Sequence, residues 1–136
     1  MSGAELPRAS AAQLAAWAAE PPVVADCECR MARLEGWTSI RETEWPAQLL
    51  EKVATLRDLT IDEPSYVEHH PRGTRYDSPE APVAPAFFPY NRCEVYRCSA
   101  CGRHVLRYTE YGGYYIDHRA RCLQGREVVD APLPVR

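Results

Sequence analysis

The residues in this 136-residue chain best suited to chemistry are its six cysteines. Cys98-Ser99-Ala100-Cys101-Gly102 is the sharpest motif: two thiolates two residues apart on a turn can chelate one tetrahedral metal ion, and the glycine permits a tight backbone path behind them. One such pair is half of a closed site, and two completions compete. Cys27 and Cys29 would make a Cys₄ site tying the N-terminal region to the turn, whereas His118 and Cys122 would close a local C-x₂-C-x₁₆-H-x₃-C set. His104 is a third candidate ligand, at a position where the next strand should turn its side chain elsewhere. The Cys27–Cys29 completion is preferred, because a loop-rich chain gains most from a long-range cross-link and paired cysteines one residue apart have few other uses. Cys93 and Cys122 then remain as buried thiols. Zinc is the expected ion, in a structural role, since four thiolates leave no open coordination position.

Compartment decides between thiolate ligation and disulfides. The segment Met-Ser-Gly-Ala-Glu-Leu-Pro-Arg lacks the cationic start of a secretory signal, and the alanine-rich stretch after it is short and closed by Glu20-Pro21-Pro22. A cytoplasmic, reducing location is therefore expected. No run of eighteen apolar residues is present, no period of twenty to fifty residues repeats, and 46% hydrophobic content is too high for a disordered tail.

The elements that must position these ligands are read as one α+β domain over 1–136. Ser10 and Gln13 resemble a capping box for a peripheral helix within residues 1–22. Over 23–61 the Cys-x-Cys segment leads into a second helix, starting near Thr43 to Pro46 and carried by Leu49, Leu50, Val53, Leu56 and Leu59. Residues 62–92 hold six prolines together with Tyr66, Tyr76, Phe87, Phe88 and Tyr90, which suits a long ordered wrap rather than a free linker. From 93 to 131 the alternation predicts a zinc-ribbon-like three-stranded antiparallel meander, with Cys98–Cys101 as its first turn and a hairpin at Gly112-Gly113, where glycine would supply positive φ.

Several of these strings resemble landmarks of a group of small uncharacterised bacterial proteins: Leu34-Glu35-Gly36-Trp37, Thr55-Leu56-Arg57-Asp58, His70 to Tyr76, Pro89 to Cys93, and Leu106-Arg107-Tyr108-Thr109-Glu110-Tyr111-Gly112-Gly113-Tyr114-Tyr115. The resemblance covers about residues 27–131 and is most specific in the last third. It implies a fold and a metal, with an N-terminal cysteine cluster accompanying the C-x-x-C-G knuckle, and it implies no activity.

Three functional classes follow. Residues 1–89 carry 8 basic and 14 acidic side chains, and residues 90–136 carry 8 and 5. A protein-binding role, with Arg107, Tyr108, Tyr111, Tyr114, Tyr115 and Arg119 as the partner face, suits the tyrosine-rich hairpin; a toxin-neutralising, immunity-type protein is its most concrete form. Arg92, Arg97, Arg103, Arg107, Arg119, Arg121 and Arg126, interleaved with Tyr96, Tyr108, Tyr111, Tyr114 and Tyr115, also suit single-stranded nucleic acid. A metal-dependent hydrolase would centre on Glu68, His69, His70 and Asp77, with Glu110 or His118 as base, although adjacent histidines on an extended chain diverge. No phosphate-binding glycine loop, nucleophile elbow or dinucleotide fingerprint supports catalysis.

Overall fold

The computed structural model describes residues 6–134; residues 1–5, read above for their charge, lie outside it. Among the described residues the architecture is a five-stranded antiparallel sheet with one helix, which corrects the expected pair of N-terminal helices and three-stranded ribbon. Helix α1 spans Ala11–Ala19, and the strands are β1 Thr38–Ser39, β2 Leu50–Thr55, β3 Glu94–Cys98, β4 His104–Tyr111 and β5 Ile116–Cys122. Their order across the sheet is β1-β5-β4-β3-β2. Short 3₁₀ turns at Met31–Arg33, Glu42–Glu44 and Tyr90–Arg92 complete the regular structure. Among the described residues, no helix is long and apolar enough to cross a membrane.

Helix α1 forms where its cap requires: the Ser10 hydroxyl accepts from the Gln13 amide at 3.1 Å. The expected second helix is instead β2, added to the open edge of β3 with Leu50 opposite Cys98 and Thr55 opposite Glu94. A bulge between Lys52 and Ala54 shifts the register, which turns the later residues to the other face of the sheet. Leu50 thus joins one core while Ala54 and Leu56 join the other. A strand that changes faces at a bulge spaces its apolar residues as a helix does. Leu59, the last member of the supposed stripe, is exposed.

The two faces of the sheet carry separate cores. Val95, Leu106 and Tyr108 face Leu14 and Ala18 of α1 together with Val83 and Tyr90 of the 62–92 segment. On the opposite face Cys98, Val105 and Ala120 pack with Cys29, Met31, Leu34 and Trp45. Between β4 and β5 the four-residue loop 112–115 closes with the Gly112 amide donating to the Tyr115 carbonyl. Neither Gly112 nor Gly113 has positive φ, contrary to expectation; Gly112 leaves room for the Tyr115 ring, which a Cβ would meet at 2.4 Å.

Arg121 of β5 is fully buried on the helix-covered face. Its guanidinium donates to the Glu35, Pro79 and Ala81 carbonyls and to the Tyr90 hydroxyl, so one side chain ties three separate segments to the sheet.

His104 is also buried, stacked on the Trp17 indole with centroids 4.6 Å apart. Burial, assisted by the Arg97 cation, lowers its pKa to about 4. In the unfolded chain this histidine titrates at about 6.5 and takes up the proton first as pH falls. His104 therefore supports folding fully above about pH 6.5 and loses that support toward pH 4, by about 2 kcal/mol at pH 5. Urea unfolding at pH 7 and pH 5 is expected to show a steeper loss in the native chain than in His104→Phe. Equal losses would show that another group sets the pH response.

Candidate metal centre

Two short turns from distant parts of the chain build the centre. Cys98 ends β3 and Cys101 lies in the turn to β4; Cys27 and Cys29 lie between α1 and the first 3₁₀ turn. The turns are alike in construction. In one, the Gly102 amide donates to the Cys98 carbonyl at 2.8 Å and the Ala100 amide to Cys98 Sγ at 3.4 Å. In the other, the Arg30 amide donates to the Cys27 carbonyl at 3.0 Å and the Met31 amide to Cys29 Sγ at 3.5 Å. Each second cysteine is followed by a left-handed residue, Gly102 at φ 81° and Arg30 at φ 63°. Glycine takes that conformation freely, whereas arginine adopts it at a cost of roughly 1–2 kcal/mol. Holding Arg30 there needs the surrounding contacts.

The four Sγ atoms lie within 4.8 Å of one another, with Cys27 3.7 Å from Cys98 and Cys29 3.8 Å from Cys101. These separations far exceed a disulfide bond of about 2.05 Å, and all the cysteines are free. They match the edge of a tetrahedron with metal–sulfur bonds of about 2.3 Å, which is about 3.8 Å. The cluster can hold a metal ion, and it is the only such group among the described residues.

Electrostatics point the same way. Burial and then the neighbouring thiols push Cys29 and Cys98 above the usual thiol range, although amide donors partly offset this. At Cys101 burial also acts upward, but the Arg103 amide and guanidinium, with the Cys98 and Cys29 thiols, outweigh it and bring the group down to about 7. Four thiolates crowded this closely repel one another, and a dication removes that conflict. Arg103, expected from the sequence as one of a row of phosphate-facing arginines, is instead 7% exposed and also fastens the incoming segment. It donates to the Val24 and Ala25 carbonyls at 3.3 and 3.0 Å, while the Val23 amide donates to the Cys101 carbonyl at 2.8 Å.

The other candidate ligands are engaged elsewhere. His118 pairs with the Thr109 hydroxyl at 3.0 Å and the Glu42 carboxylate at 3.3 Å. Cys122 and Cys93 are buried outside the cluster, and His104 is stacked on Trp17. Of the supposed hydrolytic group, His70 bonds Thr74 and Glu68 through its two ring nitrogens, and His69 packs on Phe87 at 4.7 Å between centroids. No shared metal position results.

The six residues assigned to a partner face separate into two sets. Tyr111, Tyr114 and Tyr115 stand exposed with Ile116 at the tip of the β4–β5 hairpin. Tyr108 is corrected: it is 4% exposed, packed against Trp37 and Phe88, with its hydroxyl bonded to that of Tyr76. It lies on the face of β4 that the 62–92 segment covers. Arg119 pairs with Asp117 at 2.8 Å and Arg107 with Glu42 at 2.7 Å. Arg103 and Arg121 are buried, whereas Arg92, Arg97 and Arg126 form no ion pair among the described residues. Compared with protein-family models, curated proteins and solved structures, the chain matches none.

Proposed function

We propose that this chain is a small cytoplasmic zinc protein whose single ion is structural, and that it acts by docking a protein partner. The observation that carries the metal assignment is the agreement between the sulfur spacing and a tetrahedral zinc–thiolate edge. All-sulfur ligation supports a structural ion, because it leaves no vacancy for water or substrate. Elemental analysis of protein purified without added metal is the test: about one zinc per chain is expected, lost in the Cys27→Ser/Cys29→Ser double variant and retained in His118→Ala. Folded, reduced protein without zinc would remove the assignment.

The docking half of the proposal rests on the hairpin tip, where Tyr114 is fully exposed and Tyr111, Tyr115 and Ile116 are each more than half exposed. Tyrosine suits an interface because its ring is apolar and its hydroxyl polar. The resemblance to the small bacterial group belongs to this reading, and toxin neutralisation is its most concrete form. Replacing Tyr111 and Tyr114 by alanine is expected to change unfolding free energy by less than about 1 kcal/mol, as at exposed sites. The same variant is expected to lose whatever protein the native chain retains from cell extract. A variant that keeps that protein would move the docking face off the tip.

A further inference from the structure

We infer that the cleft beside this hairpin receives an acidic peptide segment of the partner, an inference that rests on the docking reading above. The cleft measures about 680 Å³ and shares Tyr111 with the exposed tip, so one partner can engage both. Four cations, Lys52, Arg57, Arg92 and Arg107, face three acids, Glu42, Asp62 and Glu94. Lys52 pairs with Glu94 at 3.3 Å and Arg107 with Glu42 at 2.7 Å. Arg57 and Arg92 form no ion pair among the described residues. The Arg92 guanidinium is held over the Tyr66 ring at 4.1 Å and donates to the Pro64 carbonyl at 2.8 Å, while its buried Nε finds no acceptor.

Arg107 shows what chemistry the cleft accepts. Its side chain is 12% exposed and its guanidinium lies 4.4 Å from the Trp45 ring, fixed in place. It holds a carboxylate, that of Glu42, whose own side chain is 67% exposed and also reaches His118. The chain thus pairs two of the cleft's cations with its own acids and leaves two arginines without one. A peptide can set carboxylates against Arg57 and Arg92 while presenting neutral groups to Asp62 and Glu94. A nucleic-acid backbone, charged at every step, would meet those acids as repulsion.

Fluorescence anisotropy of the zinc-loaded full chain tests this with three labelled probes: an octapeptide of alternating glutamate and serine, its glutamine counterpart, and an oligothymidylate. The glutamate peptide is expected to bind at least about tenfold more tightly than the glutamine peptide. Arg57→Gln and Arg92→Gln are each expected to weaken it about fivefold, and Glu42→Gln to strengthen it about threefold by freeing Arg107. Arg57 is exposed, so its variant keeps the fold even if the Arg92 variant does not. Equal affinity for the two peptides, or no loss in Arg57→Gln, would overturn the inference. So would oligothymidylate bound more tightly than the glutamate peptide. Each of these three results leaves the zinc content and the Tyr111/Tyr114 experiment unchanged, so the cleft and the docking reading fail separately.

Discussion

Stripping zinc from the loaded protein with a chelator is expected to lower the melting temperature by more than about 20 °C, or to abolish the cooperative transition. The ion would join two turns more than seventy residues apart in sequence, so its binding energy is folding energy. That energy is of order 10 kcal/mol at structural zinc sites, comparable with the whole stability of a domain of this size. Cys29, Met31, Leu34 and Trp45 pack with Cys98, Cys101 and Val105 in one core, so the ion's ligands belong to the core that covers this face of the sheet. Returning zinc should restore the transition. A metal-free chain melting within a few degrees of the loaded one would show that the hydrogen bonds from Arg103 and Val23 hold this region without the ion.

The second large effect is expected at Arg121. Replacing it with methionine keeps much of the volume but leaves the Glu35 and Ala81 carbonyls and the Tyr90 hydroxyl without their donor, while the Pro79 carbonyl keeps the Arg126 guanidinium. Each orphaned buried acceptor costs about 1–3 kcal/mol, and relaxation of the loops recovers part of this. A loss of about 3–5 kcal/mol in urea unfolding is expected. Arg121→Lys should recover little, because an ammonium cannot span acceptors arranged around a planar guanidinium. A loss below about 1 kcal/mol in Arg121→Met would show that the 79–81 and 90 segments hold their places by apolar packing alone.

What was legible in the sequence was local. The cap at Ser10 and the knuckle at Cys98–Gly102 depend on residues within a few positions of one another, and both stand where the spacing places them. Cys27 and Cys29 were found by valence, since half a site demands another half. Features set by pairing across the sheet were hidden. The bulge at Val53 gave β2 the apolar spacing of a helix, and nothing in residues 49–59 marks the change of face. Tyr108 and Tyr111 read alike in the hairpin string, yet one packs under the 62–92 segment and the other projects at the tip. Arg121 looked like one more basic strand residue. Its alternation with Ala120 and Cys122 was the available signal, and register places it beside Leu106 on the covered face. The left-handed Arg30 had no signal at all, because its conformation follows from the second turn of the cluster rather than from its own residue type.

X-ray absorption at the zinc K-edge, on protein purified without added metal, tests the central claim most directly. The sulfur spacing predicts a single shell of four sulfur ligands at about 2.3 Å. A shell containing nitrogen or oxygen at about 2.0–2.1 Å, or no zinc signal from folded and reduced protein, would contradict a site made of Cys27, Cys29, Cys98 and Cys101.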